Sequence, residues 1–352
     1  MTTEEEGART IPDIAPFLTA LALGLVITPL IRLLALRLNC LDRPADRSAH
    51  AIPVPHLGGV AIYLAFLLTH FLSGVRDPSL RGVLVAGGFI VAVGVIDDLY
   101  RLPPWAKLLG QLAAVGILVG YGIQIEKITS PWGGFIHFGV WSIPVTVIWV
   151  LSFTNAMNLI DGLDGLAAGV AVIASITLFF VAMQTGQPPI ALYLTAAVAG
   201  SAMGFLPYNF HPARIFMGDA GAMFLGFALA AVAIAGTLKS TAAIALGIPI
   251  LALGLPLMDT AYAIVRRWRR GQAFYEADRG HLHHRLMQVG LNHRETVLIM
   301  YCVSGWMGIS ALALANLRPG PGLGVLTFAF VSLYFGAKKF GIMDLERREH
   351  FH

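Results

Sequence analysis

Long apolar stretches fill most of this chain, and polar residues are concentrated in the short gaps between them. Eleven stretches are each close to the roughly 20 residues that a helix needs to cross the hydrocarbon core of a bilayer. We predict spanning helices over 14–37, 57–74, 80–97, 105–122, 143–158, 163–183, 189–206, 219–237, 241–264, 296–316 and 321–340. No gap reads as a linker. The pattern therefore predicts one domain, 1–352, with an all-α polytopic membrane fold.

Residues 123–142 break this pattern. Gly133 and Gly134 lie there between two short β-prone runs. The stretch favours a small hairpin or a re-entrant piece over another membrane span.

Composition supports membrane insertion. Hydrophobic residues make up 57% of the chain and charged residues only 12%, whereas soluble domains carry about 25% charged residues. Cys40 and Cys302 offer no disulfide framework and are interpreted as small buried hydrophobes. Residues 1–13 are polar and lack a basic region, so no cleavable signal peptide is predicted.

Lysine and arginine set the predicted orientation. With the N-terminus outside, three quarters of the 24 basic residues fall on the inner side, as the positive-inside bias requires. The C-terminus is then cytoplasmic. Every polar motif described next falls on the cytoplasmic side.

The strongest polar motif follows the fifth apolar segment. Asn155, Asn158, Asp161 and Asp164 recur there at a three-residue step. Carboxylates beside hydrocarbon are costly and are usually functional. The two amides suit contacts with a base or sugar, and a helix cap accounts for only one of the four residues.

Asp97 and Asp98 end the third segment, and Lys107 lies in the next one. Adjacent carboxylates require a cation, either a metal or a neighbouring basic side chain. An acidic pair at a helix C-terminus also opposes the helix dipole. We interpret the pair as taking part in metal–phosphate chemistry or as a general base. The alternative is that it forms a solvated helix end. Lys107 either contacts phosphate or snorkels to the interface.

The gap from Asn209 to Asp219 carries a third motif. Asp219 precedes a helix, where it either caps the N-terminus or holds Mg²⁺. Arg214 is a candidate phosphate partner. Phe216 either stacks on a nucleobase or packs in the protein.

The loop 265–295 is the most basic part of the chain. Its opening run, Arg266 to Arg270, is interpreted mainly as an anchor to anionic lipid. The motif after Asp278 contains His281, His283, His284 and Arg285. Three histidines suggest zinc, but the carboxylates elsewhere and the lack of cysteine ligands favour phosphate contacts by this motif. A solvated histidine run is the alternative.

Two features stay ambiguous. The loop from Asp42 to His50, continuing to Gly59, is either an ordered lid or a wall. Asp259 lies inside the ninth segment and is either a polar lock between helices or a site residue.

Together these motifs resemble those of the polyprenyl-phosphate N-acetylhexosamine-1-phosphate transferases, a membrane family of glycosyltransferase 4 type. The likeness extends from about Asp42 to His293, and the motifs occur in the same order as in the family. It rests on Asp97-Asp98 with Lys107, on Asn155-x-x-Asn-x-x-Asp-Gly-x-Asp-Gly, on Asn209 with Phe216-Met-Gly-Asp219, and on His281-x-His-His-Arg. Leu282 interrupts the histidines, which favours the branch using UDP-GlcNAc (WecA and TagO type). The branch using UDP-MurNAc-pentapeptide (MraY type) usually has three consecutive histidines.

The resemblance implies a helical bundle in the bacterial inner membrane, often a homodimer, with a cleft facing the cytoplasm. The implied reaction is attack by undecaprenyl phosphate on the β-phosphorus of UDP-GlcNAc, which gives undecaprenyl-diphospho-GlcNAc and UMP and begins cell-envelope glycan synthesis. The implied cofactor is Mg²⁺, with Mn²⁺ as a substitute, and no nucleic-acid partner is expected.

The resemblance also assigns roles. Asp219 is the expected Mg²⁺ ligand, and Asp97 accepts or orients the proton of the lipid phosphate, assisted by Asp98 and Lys107. Asp161, Asp164 and His281 are counted with these catalytic residues. Substrate contacts are expected from Asn155, Asn158, Asn209, Arg214, Phe216, His283, His284 and Arg285. A covalent aspartyl intermediate remains open as a rival mechanism.

Two other classes are weighed against this interpretation. Intramembrane carboxylates also mark ion-coupled transporters, but transporter sites lie near the midplane in repeated halves, and no convincing repeat is found. A CDP-alcohol phosphotransferase requires an arginine that Gly169 replaces in Asp164-Gly-Leu-Ala-Ala-Gly. The MraY-type activity is the nearest competitor.

Overall fold

The computed structural model describes residues 14–42, 53–129, 134–236, 247–269, 271, 280–315, 317 and 319–339. Within these ranges the chain is almost entirely helical. The first seven helices are α1 (Ala15–Arg37), α2 (Gly58–Ser73), α3 (Pro78–Tyr100), α4 (Pro104–Gly120), α5 (Ser142–Ile160), α6 (Leu166–Gln184) and α7 (Pro189–Asn209). The others are α8 (Gly218–Ala235), α9 (Gly247–Ala252), α10 (Gly254–Arg269), α11 (Leu282–Gln288), α12 (His293–Ala315) and α13 (Pro319–Lys339).

The predicted all-α polytopic membrane fold is confirmed. Seven helices in the described ranges are long and apolar enough to cross a bilayer, and α2 and α4 are shorter apolar helices. The count of eleven spans and the orientation of the bundle remain predictions.

The ninth predicted segment, 241–264, is not one continuous helix. Its described part forms two helices, α9 and α10, which are interrupted at Leu253. Pro256 explains the break, because proline has no N–H to donate to Ala252 four residues earlier and its ring clashes with that carbonyl. Residues 241–246 lie outside the described ranges.

Two short antiparallel hairpins accompany the helices. The first pairs β1 (Leu41–Asp42) with β2 (Val54–Pro55). The second pairs β3 (Lys127–Thr129) with β4 (Phe135–His137). The second hairpin confirms that 123–142 is not another long span.

Helix α8 is the centre of the bundle, and its residues from Ala220 to Ala235 are all buried. It packs against α2, α3 and α5. Glycines allow the closest approaches: a Cβ on Gly59 would lie 2.0 Å from the Gly221 nitrogen, and one on Gly94 would lie 2.3 Å from Ala220 Cα. Small residues let membrane helices come this close. The first turn of α8 is therefore held tightly between α2 and α3.

Strand β2 fixes the segment that leads into α8. Phe216 donates its backbone N–H to Pro55 O at 2.8 Å, and its carbonyl accepts from Gly58 N at 2.9 Å. Side-chain and backbone contacts join the ends of α3, α5 and α7 to the beginnings of α4, α6, α8 and α12. The polar residues at these ends consequently lie around one end of the bundle.

Candidate active site

A cavity of about 540 Å³ opens where these helix ends meet. Carboxylates dominate its lining. The residues with polar or aromatic side chains around it include His56, Asp97, Asp98, Arg101, Asp161, Asp164, Asn209, Phe216, Asp219 and His293. Asp97 and Asp219, which are 122 positions apart in the chain, thus share one acidic space, as the sequence analysis predicts.

Lys107 pairs with two acids of this space, Asp97 and Asp219, although it is not itself among the described residues that line the cavity. Its Nζ contacts the Asp219 carboxylate directly and lies 2.9 Å from Asp97 Oδ2. Nζ also donates to Asn158 Oδ1 at 3.0 Å, and Asn158 Nδ2 donates to Asp219 Oδ1 at 2.8 Å. We call Asp97, Lys107, Asn158 and Asp219 the acid–lysine network. It links the starts of α4 and α8 to the ends of α3 and α5.

Asp98 acts as the cap of α8. Its Oδ1 accepts from Asp219 N at 2.7 Å and its Oδ2 accepts from Ala220 N at 3.3 Å. A carboxylate in this position satisfies the free N–H groups of the first turn and interacts favourably with the positive end of the helix dipole. Gly218 allows the approach, because its φ is +71° and a Cβ there would lie 2.5 Å from Asp98 Oδ2. Asp98 therefore positions Asp219, and the capping role that the sequence suggested for Asp219 belongs to Asp98.

Asp161 follows the last turn of α5 and lines the same cavity. Burial raises the pKa of its carboxyl to about 8, and the nearby charges of Asp219, Asp98 and Asp164 add to the effect. Concentrated negative charge of this kind favours either protons or a bound cation.

Asn209 braces two loops beside the cavity. Its Oδ1 accepts from Gly165 N at 3.0 Å, and its Nδ2 donates to Ile215 O at 3.0 Å. Its side chain is buried, with 3% exposed. The predicted substrate contact therefore competes with a structural role that already uses both ends of the amide.

Asn155 is placed differently from the prediction. Its amide pairs reciprocally with that of Gln111 at 2.9 and 3.1 Å, and in the described part of the chain it is not among the cavity-lining residues. The pair joins α4 to α5 in the core, where an unpaired amide would be costly. Gln111, one turn beyond Lys107, is the partner that sequence reasoning missed.

Arg214 is also away from the site. Its side chain is exposed, and its backbone carbonyl accepts from Arg32 Nε at 3.0 Å. It does not line the cavity in the structure as described, so the predicted phosphate contact has no support. Phe216 does line the cavity, as a nucleobase-stacking role requires.

The histidine motif begins α11 and is anchored by Asp259. The Asp259 Oδ2 lies 2.9 Å from His281 Nδ1, and its Oδ1 accepts from Leu282 N at 2.8 Å. Both Asp259 and His281 are buried. Asp259 is therefore a polar lock between α10 and α11, which resolves its ambiguous role.

His283 packs behind the cavity rather than in it. A Cβ on Gly162 would lie 2.6 Å from His283 Nε2, so only glycine allows this contact. Burial lowers the pKa of His283 to about 4, and neighbouring His284 adds to the shift. A neutral, buried imidazole does not act as a cationic phosphate ligand, so the predicted substrate contact of His283 stays a prediction that this placement does not support.

Arg285 and Arg266 converge near Tyr262. Arg285 Nε donates to Gly280 O at 3.0 Å and Arg266 Nη1 donates to the same oxygen at 2.8 Å. Both guanidinium groups lie over the Tyr262 ring. Arg266 and Arg267 are 6% and 7% exposed, so the expected lipid anchor is wrong for these two arginines. None of His281, His283, His284 and Arg285 lines the cavity within the described ranges.

Two predicted features fall on residues whose structure is not described. The possible lid between Asp42 and His50 lies mostly in 43–52, and Asp278 lies in 272–279. Two cavity-side residues were not predicted from the sequence at all, namely His211 and His293. His211 Nδ1 lies 2.8 Å from Asp164 Oδ2, and its ring stacks on that of His293 with centroids 4.1 Å apart.

The fold and the site together define the class of this protein. It is a multi-pass membrane helix bundle with an acidic pocket at its helix ends. Residues 80–237 match the model of glycosyl transferase family 4. A probable undecaprenyl-phosphate N-acetylglucosaminyl 1-phosphate transferase of Bacillus subtilis is 38% identical over 310 residues, covering 88% of this chain and 86% of that protein.

Two further relatives agree. The decaprenyl-phosphate N-acetylglucosaminephosphotransferase of Mycobacterium tuberculosis is 38% identical over 85% of this chain and 81% of its own. The undecaprenyl-phosphate alpha-N-acetylglucosaminyl 1-phosphate transferase of Escherichia coli is 28% identical over 80% of this chain and 78% of its own. The chain belongs to the family of these polyprenyl-phosphate N-acetylglucosamine-1-phosphate transferases, which confirms the predicted family, and it is therefore a membrane-embedded transferase.

Proposed function

We propose that this enzyme transfers GlcNAc-1-phosphate from UDP-GlcNAc to undecaprenyl phosphate at the cytoplasmic face of the bacterial inner membrane. The products are undecaprenyl-diphospho-GlcNAc and UMP, and the step begins cell-envelope glycan synthesis. The acid–lysine network at one end of the bundle is the observation that carries the proposal. The activities for which the relatives are named support the choice of polyprenyl phosphate and GlcNAc.

The reaction joins two anions. An oxygen of the lipid phosphate forms a bond to the β-phosphorus of UDP-GlcNAc, and the bond from that phosphorus to the bridging oxygen breaks. The bridging oxygen leaves with the α-phosphate as UMP. Such transfers depend on positioning and on charge stabilisation more than on covalent chemistry by the protein.

The donor set fits Mg²⁺. Asp219 and Asp161 face a cavity that also contains the carboxylates of Asp97, Asp98 and Asp164, and oxygen ligands of this kind suit a hard dication. Burial is the main cause of the raised pKa of Asp161, and the neighbouring carboxylates Asp219, Asp98 and Asp164 add negative charge that a cation would offset. Asp219 and Asp161 would hold the ion, which when bound would neutralise charge on the diphosphate.

Lys107 supplies fixed positive charge beside the reacting phosphates. Its ion pairs with Asp97 and Asp219, which line the cavity, hold the ammonium group next to the acids of the site. We assign it to stabilising charge that develops on the transferred phosphoryl group. Asp97 also accepts from Leu102 N at 2.8 Å, which fixes its carboxylate. We assign Asp97 to orienting the lipid phosphate and accepting its proton.

The nucleotide is assigned to the loop between α5 and α6. Asp161, Gly162, Leu163 and Asp164 line the cavity there, with Phe216 among the other residues around it. Phe216 offers an aromatic ring for the base, and the loop offers hydrogen-bond acceptors for the sugar. The histidine motif is assigned a supporting role, because His283 packs directly behind Gly162.

The test is a membrane assay with undecaprenyl phosphate and labelled UDP-sugars. We expect UMP release with UDP-GlcNAc, and none with UDP-MurNAc-pentapeptide. Release only with UDP-MurNAc-pentapeptide would transfer the proposal to the MraY-type reaction. Lipid-independent substrate movement across proteoliposomes, without UMP release, would favour a transporter.

A further inference from the structure

Three side chains from separate elements meet at the rim of the cavity, apart from the acid–lysine network. Asp164 lies in the loop between α5 and α6, His211 lies between α7 and α8, and His293 begins α12. One ligand atom from each lies within 4.8 Å of the others. We call Asp164, His211 and His293 the rim triad.

The rim triad has unused ligand capacity. The His293 Nε2 atom is buried and has no hydrogen-bond partner among the described residues. Asp164 uses Oδ2 for its contacts with His211 Nδ1 at 2.8 Å and with Ala213 N at 3.1 Å. A buried ring nitrogen without a partner is costly, and a metal ion would satisfy it.

The surrounding structure holds the triad in place. Arg294 Nη2 donates to His211 O at 3.1 Å, and Tyr301 Oη donates to Gly165 O at 2.5 Å. Asn209 ties Gly165 to Ile215. Each of the two loops that carry triad residues is therefore bonded to α12 or to the end of α7. Supporting contacts of this kind orient metal ligands.

We propose that the rim triad binds a transition-metal dication of the Zn²⁺ class. Two imidazoles and one carboxylate suit zinc and related ions, whereas Mg²⁺ prefers an all-oxygen shell. The site is thus chemically distinct from the oxygen-rich one at Asp219. Zinc–ligand bonds of about 2.0–2.2 Å place the donor atoms of a tetrahedral shell roughly 3.4 Å apart, a separation that atoms lying within 4.8 Å of one another can reach by small side-chain adjustments.

A metal bound at the rim triad would affect the cavity. Asp164 and His293 line the cavity, so an ion held by them would lie beside the space assigned to substrate. A bound ion would clamp the start of α12 to the two loops and narrow that rim. We therefore expect micromolar Zn²⁺ to inhibit the enzyme without displacing Mg²⁺.

The test uses the full-length protein in detergent, purified with a tag that contains no histidine. Zn²⁺ is titrated calorimetrically in excess Mg²⁺, and Co²⁺ serves as the spectroscopic probe of a tetrahedral nitrogen-containing site. We expect one equivalent to bind. His211→Ala and His293→Ala should each weaken binding by more than the roughly 10–100-fold that loss of a supporting partner costs.

Two control variants separate this site from others. His137→Ala removes an exposed histidine of β4 and should leave binding unchanged. His284→Ala alters the α11 motif and should also leave it unchanged. Loss of binding in His284→Ala but not in His293→Ala would place the metal at α11 and overturn the proposal. So would weak, multi-site binding that neither rim variant alters. Metal binding is measured without substrates, so the result does not depend on the proposed transfer reaction.

Discussion

The Asp98 carboxylate accepts the backbone N–H of Asp219 at 2.7 Å, across 121 positions of sequence. This contact connects the end of α3 to the first turn of α8, and it sets the direction in which the Asp219 side chain leaves the helix. The two acids therefore do different work: Asp98 holds the helix end, and Asp219 faces Lys107 and the cavity.

Asp98→Ala should lower both stability and activity. Losing a helix cap costs about 0.5–2 kcal/mol, and here it also releases Asp219. Asp77→Ala is a matched control, because Asp77 caps α3 through Ser79 N at 2.7 Å and Leu80 N at 3.4 Å. Thermal unfolding and UMP release should show a similar stability loss in both variants, with activity reduced only in Asp98→Ala. Full activity in folded Asp98→Ala would contradict the positioning role.

Gly94→Ala should reduce activity through the backbone. The added Cβ would lie 2.3 Å from Ala220 Cα, so α8 must shift and carry Asp219 with it. Overpacking of this type costs about 1–3 kcal/mol. Gly116→Ala is the control, since a Cβ there meets nothing within 4 Å. Equal UMP release by the two variants would show that the close approach of α3 and α8 does not set the site.

Asp97 and Lys107 should act as a unit. Lys107→Met removes the cation that stabilises developing phosphate charge, and a loss of roughly 10²–10³ in kcat is expected. Asp97→Asn should lower kcat much less in the Lys107→Met enzyme than in the wild type, because the ion pair between the two residues is already absent there. Steady-state kinetics of the four proteins form a double-mutant cycle. Strict additivity would mean that the two residues contribute separately.

Asp161 should couple cation binding to proton release. Its pKa is raised from 3.8 to about 8, so at pH 7 the metal-free folded enzyme holds a proton that Mg²⁺ would displace. Calorimetry in buffers of different ionisation enthalpy should detect up to about one proton released per Mg²⁺. Asp161→Asn should release close to none. Identical proton release in wild type and Asp161→Asn would rule out this carboxyl as the source.

The raised pKa of Asp161 also predicts how the stability of the folded protein changes with pH. Because the folded pKa is above the ordinary value, the folded state holds more protons than the unfolded one between about pH 4 and pH 8. Metal-free stability should therefore fall as pH rises through this window, by at most about 1.4 kcal/mol per pH unit. Melting temperatures with and without Mg²⁺ would measure it, and Asp161→Asn should flatten the metal-free slope.

Much of the architecture follows from the sequence alone. The first eight predicted spans begin within three residues of the observed helices, because each is a long apolar run bounded by glycine, proline or charge. The split between α9 and α10 was missed because hydropathy does not register the N–H that Pro256 lacks.

The membership of the site was also partly predictable. Spacing and charge identified Asp97, Asp161 and Asp219 as cavity residues, since unpaired carboxylates at membrane helix ends stand out. The pairing of Asn155 with Gln111 was not predicted, because Gln111 lies 44 positions away and stands in no polar motif. His211 and His293 were missed because neither belongs to a run of similar residues, and only folding brings their rings together.

The most direct test of the account is UMP release from UDP-GlcNAc and undecaprenyl phosphate by Asp219→Ala, over a range of Mg²⁺ concentrations. His137→Ala serves as the control variant. The account predicts that Asp219→Ala stays folded yet loses most of its activity at every Mg²⁺ concentration, while His137→Ala behaves as wild type. An Asp219→Ala enzyme that turns over at the wild-type rate with the wild-type Mg²⁺ dependence would contradict it.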